Sequence, residues 1–465
     1  MKSQNNYSFT ITLPLFFKEM YHKKTIRIST PEAYIPIILN WAESNFSVIC
    51  YLNSNPNDCK SFVRKNERKG YKNLLAVGTA QELLPAVSAN FPRLKKFYEQ
   101  VKSELVHGAD RTGIFGFLSY DLKNEVENLF SGHPDSIEMP LMHFFVPKHF
   151  FVFRGNELVV HTSDSGFDFE KILEKTEDRK PGRKADFLIK PRISKKQYIA
   201  KVNKLKQHIQ RGDIYEVNFC QEFFSENRII NPVETYLRLN EISPMPFSCF
   251  YKLGKKYLLC SSPERFLNKT GDKIISQPIK GTIRRGESEK EDKLQMKKLL
   301  ESKKEMSENV MIVDLVRNDL SRFSVPGTVR VEELFELHSY KHLHQMVSTL
   351  SGVMDKKYHF MDAIKNCFPM GSMTGAPKVK AMELIEKFES AKRGLFSGAV
   401  GYITPDGDFD FNVVIRSILY NAEKKYVSVM AGSAITAGCE AEKEYEECLL
   451  KAEPMLKALK SNNEQ

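Results

Sequence analysis

Apolar positions along this chain change their period several times, and each change marks an element. Between Ser194 and Arg211 the large apolar residues Tyr198, Val202, Leu205 and Ile209 recur every three or four positions. That is the spacing of one helix face, and Gly212-Asp213 closes the run. Phe46–Leu52 and Ile114–Tyr120 are short and almost continuously apolar, which predicts strands. Arg265–Asn268 and Lys273–Gln277 flank the turn residues Thr270-Gly271-Asp272 and predict a hairpin. A second hairpin is expected from Gly398–Ile403 and Phe409–Leu419 around Pro405-Asp-Gly-Asp408. In its second strand Phe409, Phe411, Val413 and Ile415 share one face; Asp410, Asn412, Val414 and Arg416 take the other. Ala381, Leu384, Ile385 and Phe388 form a helical stripe behind Gly371-Ser-Met-Thr-Gly-Ala-Pro-Lys378, with Pro377 suited to a first helical position.

The pattern lapses between residues 174 and 196, where charged residues, Pro181 and Gly182 replace large apolar ones. We expect two regions, 1–185 and 190–460, the second alternating hairpins with amphipathic helices. The fold class is α/β of the α+β type, a large antiparallel or mixed sheet flanked by helices. The chain has 465 residues, 42% hydrophobic and 27% charged, the balance of a globular protein. Its longest aromatic stretch, Met142–Phe153, is interrupted by Pro147 and Lys148 and falls short of the ~18–20 residues that span a bilayer. It is read as buried strand, with no membrane partner. Residues 1–20 lack the charged start and apolar core of a signal peptide. Eight cysteines are scattered without a CxxC pair, which points to reduced thiols in the cytoplasm and argues against zinc. The net charge of +11 is dispersed in short patches such as Lys255-Lys256 and Lys303-Lys304. No basic-aromatic recognition string accompanies them, so a nucleic-acid partner is not expected.

Chemistry concentrates at a few positions. Glu305 and Glu308, like Glu444 and Glu447, stand three apart, so each pair shares one helix face. If the two helices met, the carboxylates would call for a divalent cation, Mg²⁺ by its preference for oxygen. A solvated acidic face is the other reading. The helix start after Gly371 could bind an anion through free N–H groups; a plain glycine-rich turn competes with that. Arg416 on a half-apolar strand calls for an acid, either a substrate carboxylate or a structural aspartate. A tight turn at Gly271 would set Glu264 and Lys280 opposite each other, about 4.5–5.5 Å apart at Cβ. An acid and an amine so placed suit a proton donor and a nucleophile, the amine losing its proton if burial lowers its pKa. An ordinary cross-strand ion pair is the alternative.

Seven strings follow one another from Lys196 to about Lys457: Gly212-Asp-Ile-Tyr-Glu-Val-Asn218, Ser262-Pro-Glu-Arg-Phe266, Pro278-Ile-Lys-Gly-Thr282 and Val310-Met-Ile-Val-Asp-Leu-Val-Arg-Asn-Asp-Leu320. Gly371–Lys378, Asp410-Phe-Asn-Val-Val-Ile-Arg416 and Glu444-Tyr-Glu-Glu-Cys-Leu-Leu-Lys-Ala452 complete them. In this order they resemble the chorismate-utilising enzymes. The resemblance implies an anthranilate-synthase-component-I-like fold, with Glu308 and Glu447 binding Mg²⁺ and Glu305 and Glu444 assisting through water. It implies Glu264 as the general acid that expels the C4 hydroxyl. Arg416, Tyr402 and the backbone of Gly432, Ser433 and Ala434 are the implied carboxylate contacts, with Gly281, Thr282, Thr374 and Lys451 also near the substrate. Lys280 resembles the lysine of the branch that aminates chorismate at C4 towards 4-aminobenzoate and folate, whereas the anthranilate branch, the alternative, carries alanine there. Three departures stand out: Gln345 falls where anthranilate synthases place a histidine, beside His344; Gly432-Ser-Ala434 replaces three glycines; and Glu216 replaces a common glutamine. No segment resembles a glutamine amidotransferase, so ammonia is expected from solution or from a separate amidotransferase subunit. Ser47–Asn53 resembles, weakly, part of a domain that can hold tryptophan.

Overall fold

Antiparallel pairing joins every strand of the computed structural model, which describes residues 21–460 except 29, 56–59, 62–72, 85, 87, 106–112 and 175–188. The segment 1–20, Cys59 and most of the expected break at 174–196 lie outside the described residues. Strand Glu216–Ser225 pairs with Tyr426–Ile435, which leads through Ser417–Asn421 and Lys256–Ser262 to Phe247–Leu253. The next neighbour comes from the N-terminal region. Val48–Asn53 pairs with Phe247–Leu253 on one edge and with Leu74–Leu83 on the other. Met142–Arg154 follows, and Ile114–Leu118 carries the ladder back to Ala399–Ile403. Phe409–Asn412, Arg265–Thr270, Lys273–Gln277 and Leu343–Val353 complete the sequence. Sheet hydrogen bonding therefore runs twice, through long strands, across the expected boundary near residue 185.

The near-continuous apolar run at 142–153 is explained by burial on both sides. Phe144, Phe150 and Val152 enter the larger core, whereas Phe151 and Phe153 enter a second core. Helices Pro232–Ile242 and Ala441–Leu459 cover that second core with Tyr236, Leu239, Ala452 and Met455. Helix Lys195–Gln210 begins at a capping box in which Ser194 and Gln197 satisfy each other's backbone N–H. Its expected stripe packs against Ala381, Leu384 and Ile385 of helix Lys378–Phe388. Burying each such Leu or Val contributes roughly 1.5–3 kcal/mol. The seven described cysteines are buried and free. Among the described residues no helix is long and apolar enough to cross a membrane.

Two expectations need correction. The hairpin Arg265–Thr270 and Lys273–Gln277 forms, with Gly271 at φ +59° in its turn, but Lys280 does not face Glu264 across it. Pro278 has no N–H to continue the ladder, and Ile279–Arg284 starts a new strand on Leu343–Val353, with Thr282 opposite Gln345. The second hairpin ends at Asn412. Val413 and Val414 send their N–H groups to Glu264 and Gly398, and Arg416 adopts φ +52°, so strict alternation fails before Arg416.

Candidate active site

A cavity of about 1090 Å³ opens where these elements converge, and Lys280, Glu264, Glu305, Glu308, Arg416 and Glu447 line it. Lys280 comes from the new strand after Pro278. Its Nζ donates to Glu216 Oε1 at 2.6 Å, and Glu216, the first residue of strand Glu216–Ser225, is only 1% exposed. Burial disfavours the ammonium, but Glu216, Glu308 and Glu264 together outweigh it and raise the amine above its ordinary range. The expected lowering by burial is thereby overturned: the carboxylate charges win. Glu264 behaves oppositely. Burial pushes its carboxyl up to about 7, against the pull of a 2.6 Å hydrogen bond from Ser372 Oγ and the charges of Lys280 and Lys451. Both groups thus share one cavity by a route other than the hairpin.

Helix Lys303–Ser321 presents Glu305 and Glu308, and helix Ala441–Leu459 presents Glu447, as their spacing predicts. Burial raises Glu308 to about 7, with Glu305 adding repulsion, and raises Glu305 as well. Glu447 is held low by Lys451, whose Nζ lies 2.7 Å from its carboxylate and 3.1 Å from Gly432 O. Glu444 is set back from the cavity: it accepts from Lys304 Nζ at 2.9 Å, and Lys304 stands 3.9 Å from Glu308. A four-carboxylate cage therefore does not form, because Lys304 already neutralises Glu444. Among the described residues no group of three or more acidic, His or Cys side chains is arranged to hold an ion unaided. The donor set still fits Mg²⁺, which commonly takes one or two protein carboxylates and completes its shell with water and an anionic substrate. Glu308 Oε1 is a buried acceptor without a hydrogen-bond partner, the spare capacity such an ion needs.

Arg416 is half-buried at the cavity wall and donates to Lys451 O at 3.1 Å. Burial lowers its pKa to about 10, and it makes no ion pair among the described residues, so the structural-aspartate account does not hold. Gly281, Thr282, Gly432, Ala434 and Lys451 also line the cavity. A side chain at 432 would run into Phe219 O at 2.2 Å, so close strand approach demands glycine there. Two expected contacts are elsewhere. Tyr402 sits in strand Ala399–Ile403 opposite Phe115 and packs against the larger core. Thr374 is fully buried and donates to Met370 O. The Ser433 hydroxyl turns towards Tyr198, while its backbone lies between Gly432 and Ala434 of the cavity wall. The helix after Gly371 starts at Lys378 with Pro377 as its cap, not its first residue. Its N-terminus does not line the cavity; Ser372 and Met373 of the preceding turn do. Strand alternation turns Gln345 into the cavity, donating to Thr282 Oγ1 at 3.3 Å. His344 points the other way, between Ser339 Oγ and Asp292 Oδ1, both at 2.8 Å. Sequence reasoning missed Ser372 as the partner of Glu264 and Glu216 as the partner of Lys280, although both sit inside motif strings.

A partly buried amine, a carboxyl poised near neutrality and several carboxylates converge in one cavity, the makings of an enzyme site. The chain belongs to the chorismate binding enzyme family, whose sequence profile matches residues 51–457. It is 33% identical over 384 residues to anthranilate synthase component 1 of Thermus thermophilus, covering 79% of this chain and 82% of that one. It is 32% identical over 371 residues to aminodeoxychorismate synthase component 1 of Bacillus subtilis, covering 76% and 78%. Its fold matches the crystal structure of anthranilate synthase component I from Streptococcus pneumoniae with a TM-score of 0.72 at 26% identity, covering 85% and 94%.

Proposed function

We propose that this chain aminates chorismate at C4, yielding 4-amino-4-deoxychorismate on the way to 4-aminobenzoate and folate. The observation that carries this reading is Lys280, a partly buried amine lining the same cavity as Glu264. Glu264 gives its proton to the C4 hydroxyl, which leaves as water. Lys280 Nζ bonds to C2; the C1–C2 π pair moves to C1–C6, and the C5–C6 pair to C4–C5 as the C4–O bond breaks. Ammonia then adds at C4, both pairs return, and the C2–N bond breaks to free the lysine. Tethering the amine replaces a dilute nucleophile with an oriented one. Arg416 suits a side-chain carboxylate of the substrate, since its guanidinium makes no ion pair among the described residues and feels Glu447 only through its charge. Glu308 and Glu447, with Glu305 beside them, would hold Mg²⁺, which when bound supplies positive charge to fix the ring carboxylate. Ammonia would come from a separate glutamine amidotransferase subunit, consistent with the "component 1" names of the relatives.

The second reading, anthranilate synthesis, draws on the anthranilate synthase relatives. Lys280 opposes it, as does Gln345 in the cavity instead of a histidine. The test incubates the purified chain with chorismate, Mg²⁺ and ammonium, with and without an added aminodeoxychorismate lyase. Product that yields 4-aminobenzoate only after lyase addition is expected. Fluorescent anthranilate without lyase would overturn the assignment.

A further inference from the structure

We infer that Glu216 is a catalytic residue that takes a proton from Lys280 and later returns it, so the nucleophile is unmasked without exchanging a proton with solvent. This rests on the reading of Lys280 as the nucleophile. The 2.6 Å bond to Glu216 Oε1 is the only hydrogen bond or ion pair of Lys280 Nζ among the described residues. It lies within the reach required for direct proton transfer. The other carboxylates are committed elsewhere or stand further off. Glu264 accepts from Ser372 and serves the leaving hydroxyl, while Glu308 acts on Lys280 through its charge alone.

Glu216 is also held firmly. Its backbone pairs with Ala376, and Gly375 crosses so closely that a side chain there would meet Glu216 O at 2.1 Å. Its second oxygen, Oε2, is buried and has no hydrogen-bond partner. A carboxylate kept for structure alone would have both oxygens satisfied. Keeping two charges largely out of water is unfavourable, and moving one proton across the pair abolishes both charges at once. Substrate entry displaces water from the cavity and so favours the neutral pair. In the transfer an Nζ–H bond breaks and an Oε1–H bond forms, the N–H pair remaining on nitrogen as the attacking lone pair. When the C2–N bond later breaks, its electrons return to nitrogen, and Glu216 gives the proton back. The transfer itself leaves the net charge of the pair unchanged; the nitrogen is positive only while it is bonded to C2, and it recovers its lone pair when that bond breaks. A glutamine at this position could neither accept the proton nor return it.

The groups facing Lys280 besides Glu216 are Glu264 before strand Arg265–Thr270, Glu305 and Glu308 on one helix, and Glu447 on another. They are present in wild type and variant alike, and because the charge of Glu216 also raises Glu308, Glu216→Asp, which keeps that charge, is the control for their titrations. The experiment measures kcat for amination from pH 6.5 to 8.5 in wild type, Glu216→Gln, Glu216→Asp and Lys280→Ala, with circular dichroism to confirm folding. The Glu216→Gln to wild-type ratio is expected to lie below about one tenth at pH 6.5 and to climb roughly tenfold per pH unit, as loss of the lysine proton to solvent becomes necessary. Glu216→Asp, which keeps an acceptor, is expected to hold a pH-independent ratio. A flat Glu216→Gln ratio, or wild-type speed at pH 6.5, overturns the inference, and if Glu216→Gln misfolds, a Glu216→Asp ratio that climbs with pH does the same. An active Lys280→Ala instead overturns the nucleophile reading itself, which keeps the two failures distinct.

Discussion

Two groups of buried charges in this protein are built to opposite rules. Around Arg393, every bond is spoken for: its guanidinium donates to Glu389 at 3.0 and 2.6 Å, to Met373 O at 2.6 Å and to Asn218 O at 2.9 Å. Glu389 in turn accepts from the Cys220 N–H at 2.9 Å. Arg265 is similarly paired, with Asp410 at 2.9 and 3.0 Å and with Gln277 at 2.7 Å. Around Lys280 the charges crowd without closing, and Glu216 Oε2, Glu308 Oε1 and Gln345 Oε1 are left unpartnered. Satisfied clusters fix the frame; Met373 and Asn218, which Arg393 pins, are themselves cavity walls. Unsatisfied ones hold interaction capacity in reserve for a ligand. The difference teaches how to tell scaffold from site when both are buried and charged.

The comparison predicts that mutations in the two groups fail in different ways. Lys280→Ala should slow amination at least roughly a thousandfold while costing less stability than Glu389→Ala below, because Glu216 can take up a proton when its counter-charge is removed. A variant that loses stability and activity together would erase the distinction. Glu389→Ala should cost about 3–5 kcal/mol in urea denaturation, because Arg393 stays buried without its counter-charge. A cost below about 1 kcal/mol would show that this cluster is not structural.

Glu264→Gln should slow the reaction about a hundredfold. It should also remove the fall in wild-type rate as pH rises through about 7, where the acid form is lost. Its effect on stability has the opposite sign. Folding raises this carboxyl from 4.5 to about 7, so the unfolded chain sheds the proton first, and wild-type stability drops as pH climbs between those values. Melting curves of Glu264→Gln and wild type should diverge across that window in favour of the variant, and stay apart above it. The smallest effect belongs to His344→Asn, which should cost about 1–2 kcal/mol and leave KM for chorismate unchanged, since His344 faces Ser339 and Asp292 and not the cavity.

Local periodicity made much of this legible in the sequence. The three-residue spacing of Glu305 with Glu308 placed both on the cavity face of their helix. The turn at Gly271 and the stripe from Tyr198 to Ile209 formed as read. What stayed hidden depended on partners far along the chain. Glu216 and Lys280 are 64 positions apart, and nothing local to either says that they meet. The choice between His344 and Gln345 is a question of strand register, which one residue of slip reverses. Arg416 reaches the cavity, but not by strand alternation: the N–H groups of Val413, Val414 and Ile415 go to Glu264, Gly398 and Val413, an arrangement that side-chain alternation does not encode. Glu444 followed its helix correctly but met Lys304, an amine from another helix, before it could reach the cavity.

The mid-sheet position of Val48–Asn53 has a cost during synthesis. One edge of this strand can zip up early against Leu74–Leu83, but the other waits for Phe247–Leu253 to leave the ribosome. For that whole interval the nascent chain carries a bare, apolar ladder open to neighbouring polypeptides. An expression host short of chaperones should therefore yield inclusion bodies in place of enzyme.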